Sequence, residues 1–196
     1  MEMLFIFFDY ILINIEDNYL ITLALFFIFL SLYFSLSLPG NIILIAATGY
    51  FFGIYVGYIL SIITLVLGSL VFFIFNNFFI KKLFPNIISK YTHSLQSYIS
   101  NSSIEYLIIF RIIPGPPLFL QNLLLSFLKI SKKIFIISTF IGFSPLVFIV
   151  VFIGSQLTNV DKIQNLSIND IFSFKFLFLI IVLIIFLVLK IFFKRN

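Results

Sequence analysis

The sequence contains no cysteine and no tryptophan, a single histidine, and few charges: 12 Lys and Arg and 7 Asp and Glu in 196 residues. Without cysteine there is neither a disulfide nor a thiolate metal site. One histidine and no cysteine leave no metal cluster and no Cys/His catalytic pair. His93 falls on a polar face and is given no role. Neither H-E-x-x-H nor G-x-S-x-G occurs, and no two carboxylates lie within the apolar segments, which removes an intramembrane aspartyl site. The chain is therefore expected not to be an enzyme, and no cofactor or metal is expected. The shortage of charge excludes more. Soluble domains carry about 25% charged residues; here charged residues make up 10%, hydrophobic residues 62%, and the mean hydropathy is +1.25. That composition lacks the polar surface an aqueous fold needs. The net charge of +5 does not point to nucleic acid, because the basic residues sit beside apolar runs, as in cytoplasmic loops of membrane proteins.

What is present in excess is apolar length. The 30 Phe are given no ligand role; Phe, Ile, Leu, Lys, Asn and Tyr are together what an A/T-rich coding sequence supplies. At about 20 residues per helical crossing, the chain has room for four to six spans and no separate soluble domain. Residues 1–17 hold Glu2, Asp9, Glu16 and Asp17 and no Lys or Arg. They lack the positive start of a signal peptide and are expected to be an interfacial segment. Residues 18–80 carry no charge at all. As one helix they would measure about 95 Å, against a hydrocarbon core of about 30 Å, so this run must fold back. Pro39-Gly40 is the expected break. Residues 20–38 form a first span, 39–53 a segment too short to cross, and 54–80 a second span. Gly49, Gly53, Gly57 and Ser61 recur every four residues. On a helix they form a ridge of small side chains for close packing, or let a broken helix nest against its neighbour.

Past Lys81, Lys82 and Pro85, apolar residues at helical spacing around Tyr91, Leu95 and Tyr98 predict an amphipathic surface helix. Ser102-Ser103-Ile104-Glu105 has capping-box spacing. The helix it starts must end before Pro114-Gly115-Pro116-Pro117, so residues 104–128 read as a second re-entrant hairpin. Residues 134–157, with Gly142 and Pro145 as packing positions, and residues 171–189 complete the spans. With both hairpins returning to the side they entered, Lys81, Lys82, Lys90, Lys129, Lys132, Lys133, Lys190, Lys194 and Arg195 share one face; Lys162 lies on the other, with Lys175 close by. By the positive-inside rule both termini are cytoplasmic. The expected fold is an all-α polytopic integral membrane protein of about four full transmembrane helices plus two re-entrant helical hairpins. Its membrane domain covers residues 18–157, and a polar loop and last span cover residues 158–196.

Arg111 is the one charge inside an apolar segment. A charge at mid-membrane costs at least about 2.5–3.5 kcal/mol, and this one stands three residues before the proline-rich break. Broken helices are tolerated at that depth only inside protein or along a wet cavity. Two readings stay open. The guanidinium meets a lipid phosphate, which its bidentate geometry suits, or it is structural and pairs with Glu105 or with carbonyls freed at the prolines. Asn41 and Asn122, near the two breaks, are expected to cap free backbone groups.

These residues resemble the DedA/VTT-domain superfamily, which includes the SNARE-associated Golgi and Tvp-type membrane proteins. The match begins with Leu38-Pro39-Gly40, Ala47, Gly49, Phe52-Gly53, Gly57, Gly68 and Phe72. It continues with Arg111-x-x-Pro114-x-x-Pro117, Asn122, Phe135, Thr139, Gly142, Pro145 and Gly154, and covers about residues 20–157. The resemblance implies two facing re-entrant hairpins and transport of phospholipid or polyprenyl phosphate between leaflets of the cytoplasmic membrane. Of a membrane carboxylate and two arginines implicated in the DedA branch, only one arginine carries over, as Arg111. Asn76 stands where many relatives have Arg, and Ser126 where many have Gly. The departures favour the Tvp-type branch and passive lipid movement. A transporter of a small solute or ion and a non-catalytic membrane scaffold are the alternatives. Membrane lipids are the expected partners, and a homo-oligomer is left open.

Overall fold

The computed structural model describes residues 17–83, 104–113, 116–128 and 130–157. The expected N-terminal interfacial segment, surface helix and final span, together with Pro114 and Gly115, lie outside the described residues. Five helices follow in order: α1 (Tyr19–Ser35), α2 (Asn41–Leu83), α3 (Ile104–Ile112), α4 (Leu118–Phe127) and α5 (Lys132–Gln156). There is no strand among the described residues.

The helices are apolar on nearly every side. α1 buries Leu30 and Phe34 against α2 but leaves Leu20, Ile21, Leu25, Ile28 and Leu32 on the outside. A helix that is hydrophobic all round belongs inside a large core or in a membrane. With Tyr55 83% and Ile43 74% exposed, these helices turn apolar side chains outward as well as inward.

The chain breaks at Pro39-Gly40, as expected. α1 ends at Ser35, Leu36–Gly40 form the turn, and α2 opens at Asn41. Gly40 takes φ +94°, a conformation that L side chains adopt only under strain. The Tyr33 hydroxyl donates to the Pro39 carbonyl and ties the turn to α1.

α2 is two arms. Gly53, at φ 72° and ψ −177°, leaves the helical region between them. Thr48 Oγ1 bonds Ser61 Oγ at 2.6 Å and donates to the Gly57 carbonyl at 3.1 Å. On one continuous helix the Thr48 and Ser61 backbones would lie about 20 Å apart. The bonds therefore show that residues 41–52 fold back along residues 54–83. This corrects one expectation. Gly53 has no place in a packing ridge, because nothing would lie within 4 Å of a Cβ there; it is the turn itself. Gly49 and Gly57 do pack. A Cβ on Gly57 would sit 2.6 Å from the Thr48 carbonyl oxygen, and one on Gly49 would collide with the Val151 carbonyl of α5.

α5 runs unbroken through Pro145. Its Gly154 lies against the Ala46 carbonyl just as Gly49 lies against Val151, so the first arm of α2 and the end of α5 run antiparallel with backbones in contact. Among the described residues, α2 as a whole makes its most extensive contact with α5, and Ile45, Phe51, Phe52, Val147, Val150 and Val151 belong to the core between them. α5, and α2 taken over Asn41–Phe79, are long and apolar enough to cross a membrane. At 17 residues, α1 stands at the lower limit of about 17–25 residues for a crossing.

α3 and α4 hold 9 and 10 residues, about 14–15 Å each, half a bilayer core. α3 ends at Ile112, two residues before Pro114, since the residue preceding a proline, Ile113, disfavours the helical region. Pro117 then serves as the N-cap of α4.

Candidate functional site

Arg111 sits in the last turn of α3 and is 1% exposed. The base of its side chain lies against Gly142 of α5, where a Cβ would collide with Arg111 Cβ and come within 3.1 Å of the Ile108 carbonyl oxygen. A glycine at 142 is thus what lets α3 approach α5 closely enough to bury this side chain.

The guanidinium is held on three sides. Nη1 donates to Asn122 Oδ1 at 2.7 Å. The Phe135 and Phe143 rings of α5 lie 5.0 and 5.1 Å from its central carbon, within the range of cation–π attraction. Phe135 in turn stacks on Phe73 of α2, centroids 4.3 Å apart. Nε and Nη2 have no hydrogen-bond partner among the described residues. These two atoms form one edge of the guanidinium, the fork that grips a carboxylate or phosphate through two parallel bonds.

Asn122, 0% exposed, joins the parts. Its Nδ2 donates to Ser37 Oγ at 3.0 Å and to Ser69 Oγ at 3.1 Å. Ser37 lies in the turn after α1, with φ +50°, and its hydroxyl donates to the Phe34 carbonyl at 3.3 Å. Ser69 is on the second arm of α2. A directional chain of hydrogen bonds runs from Arg111 through Asn122 and Ser37 to the Phe34 carbonyl, which accepts the last, and each link polarises the next. Four elements meet at one polar node within an apolar core.

The arrangement decides part of what the sequence left open. The Asn122 side chain caps no helix end; it receives Arg111. Glu105 is buried in the first turn of α3, where a carboxylate favours the helix dipole. It lies six residues from Arg111, about 240° around the helix, and so faces another side. Asn41, the first residue of α2, is half-buried and stands outside the node. Pro39 and Gly40 form the turn that carries Ser37, and Pro116 accepts from Gln121 Nε2 at 2.9 Å.

Sequence reasoning missed Ser37, Ser69, Gln121 and Phe143. Ser61, Thr64, Ser69 and Asn76 are all buried on α2, and polar residues in a run otherwise so apolar were a signal that could have been followed. Gln121 Oε1 and Asn76 Nδ2 are also buried without a partner among the described residues. No group of three or more His, Cys, Asp or Glu among the described residues could hold a metal.

Comparison with known proteins identifies the family. The VTT domain family matches residues 38–156, which hold both breaks, Arg111 and Asn122. A transmembrane protein 41 homolog from Dictyostelium discoideum is 32% identical over 164 residues, 82% of this chain and 47% of that protein. A transmembrane protein 41 homolog from Caenorhabditis elegans is 28% identical over 149 residues, 72% of this chain and 59% of that protein. The chain thus spans about half the length of these relatives. No solved structure matches it. With its apolar helices and a family match over more than half its length, the chain is a membrane protein, helical with no strand among the described residues, that belongs to the VTT-domain family.

Proposed function

We propose that this protein is a translocase or scramblase that moves phosphate-bearing lipids between the leaflets of the cytoplasmic membrane, leaving them chemically unchanged. The observation that carries the proposal is the Nε–Nη2 edge of Arg111, buried and without an acceptor among the described residues. A buried charge met only by a neutral amide and two aromatic rings is expensive to retain. An anion that enters and leaves gives a reason to retain it.

The hairpins supply the rest. A head group crosses hydrocarbon slowly because its charge and dipoles lose water. The half-length segments bring Thr48 and Asn122 against Ser61 and Ser69 of the second arm of α2 and Ser37 of the turn, so that buried polar groups line up within an apolar domain. A phosphate led past such groups keeps hydrogen-bond partners while its acyl chains stay in lipid. At Arg111 its charge is neutralised. With Arg111 1% exposed, the structure is a closed state, and the hairpins must part before a head group reaches the guanidinium. The lysine-rich face is cytoplasmic, as are both termini, and its positive charge draws anionic head groups towards the entrance.

The test is reconstitution of the purified protein in liposomes with a trace of fluorescent phospholipid. An impermeant reductant added outside bleaches the outer leaflet alone, about half the dye, unless lipid moves. Bleaching of nearly all the dye without leakage is the expected result, and Arg111→Ala should slow it at least tenfold while eluting as folded protein. Bleaching that stays near half removes passive movement of phospholipid, and wild-type rates in Arg111→Ala remove the assigned role of that residue.

A further inference from the structure

We infer that Asn122 is the positioning residue of this site: it fixes the guanidinium of Arg111 so that the Nε–Nη2 edge is left for the phosphate, and it does so without neutralising the charge. The inference rests on the phosphate reading of Arg111.

The orientation of the amide follows from the partners. A guanidinium only donates, so the atom facing Nη1 must be the amide oxygen. Nδ2 then points at the Ser37 and Ser69 hydroxyls, which can accept. Those serines lie 85 and 53 residues from Asn122 in sequence and belong to the α1–α2 turn and the second arm of α2. Asn122 is therefore held by two elements while it holds a third. The division of labour on Arg111 is clear from the geometry. Phe135 and Phe143 restrict the plane of the guanidinium. Asn122 restricts its rotation by taking Nη1. What remains is the side-on fork.

The neutrality of the acceptor matters as much as its place. A carboxylate at 122 would hold Nη1 equally well in space, but it would close an ion pair and remove the positive charge an incoming phosphate is attracted by. An amide supplies the hydrogen bond and leaves the charge available. Asparagine is the residue of this size that offers an uncharged acceptor to arginine and a donor to two hydroxyls at once.

The chain holds two arginines, Arg111 and Arg195, so selective 15N-arginine labelling of the full protein in nanodiscs yields two side-chain Nε signals. Dihexanoyl phosphatidylglycerol is the probe. In the wild type, the Arg111 Nε–H signal should move on titration and saturate, while Arg195 stays put. Asn122→Asp should bind the probe at least tenfold more weakly, with a thermal midpoint equal to or above that of the wild type. Asn122→Ala should merge the separate Nη signals of Arg111 as rotation is freed, and should also weaken binding. Should Asn122→Asp not fold, Ser69→Ala removes one of the two bonds on Nδ2 at little change in volume, and several-fold weaker binding is expected. Wild-type affinity in Asn122→Asp, or in Ser69→Ala where that stands in, overturns the inference and leaves the phosphate reading of Arg111 standing. A wild-type signal that does not respond to the lipid overturns that reading, and this inference with it.

Discussion

Arg111 and Asn122 are buried together, so they can be removed together, and the sign of the stability change separates a structural arginine from a functional one. The variant is Arg111→Met with Asn122→Leu. Methionine approximates the reach of arginine and places its sulfur between Phe135 and Phe143, where sulfur–aromatic contacts of about 0.3–1.5 kcal/mol stand in for the cation–π attraction. Leucine has the branched shape of asparagine and the same number of heavy atoms, though its methyl groups are bulkier. Ser37 keeps its bond to the Phe34 carbonyl, and Ser69 can turn to a carbonyl of its own helix, so neither hydroxyl is stranded. In the single Arg111→Met variant, relief from a buried charge, at least about 2.5–3.5 kcal/mol, is opposed by about 1–3 kcal/mol for leaving Asn122 Oδ1 without its donor. Near balance is expected. In the double variant the opposing term is gone. Replacing buried charged groups by apolar ones of like volume stabilises by up to about 1–4 kcal/mol. With about 2–4 °C per kcal/mol for a chain of this size, the thermal midpoint should rise by roughly 2–16 °C. The assay is the monodisperse fraction surviving stepwise heating in detergent, followed by the dye-bleaching assay on the same preparation. The expected pairing is a higher midpoint with lipid movement lost. A midpoint below that of the wild type would refute the reasoning, because Arg111 would then be contributing to the fold more than it costs.

Two glycines offer opposite tests of packing and strain. Gly142→Ala places a methyl group against Arg111 Cβ, 3.2 Å from its Cγ and 3.1 Å from the Ile108 carbonyl oxygen; overpacking of about 1–3 kcal/mol should lower the thermal midpoint by roughly 2–12 °C and slow lipid movement as the guanidinium shifts. Gly53→Ala and Gly53→Leu should destabilise by nearly the same amount, about 1–3 kcal/mol of backbone strain, because φ +72° is the obstacle and no atom lies within 4 Å of the new Cβ. A much larger loss for leucine in the same heating assay would show that Gly53 packs after all.

The half-length architecture was legible from absence. A charge-free run too long for one span forces a fold-back, and proline is poorly tolerated in a helix interior, so Pro39 and the prolines from Pro114 onward mark two of the breaks. The same reasoning placed the end of the first short segment at Gly53, yet it also counted that glycine as a packing residue. Four-residue spacing reads as a ridge only if the helix is continuous, and spacing alone carries no sign of φ. Arg111 stood out because a lone charge in an apolar segment is costly wherever the chain goes. Its partner was harder. Asn122 was noticed for being polar near a break, but its bonds to Ser37 and Ser69 span most of the domain. Contacts at that range depend on how α1, α2 and α4 converge, and no local pattern encodes that. Phe143 could not be told apart from the other phenylalanines in a chain so rich in them; only the structure shows whose ring lies beside the guanidinium.

The close seating of Gly49 on Val151 and of Gly154 on Ala46 has a bearing on how the protein is made. The first arm of α2 is too short to be taken up as a crossing by itself, and the backbone surface it packs against emerges about a hundred residues later. At about 5–20 residues per second, that is roughly 5–20 s of synthesis during which this half-length apolar arm has only the second arm of α2 to pack on. Its insertion must therefore be completed late, by the arrival of α5. A ribosome stalled before residue 150 should hold a chain in which the face of that arm later covered by α5 is still open to chaperones or to the insertion machinery.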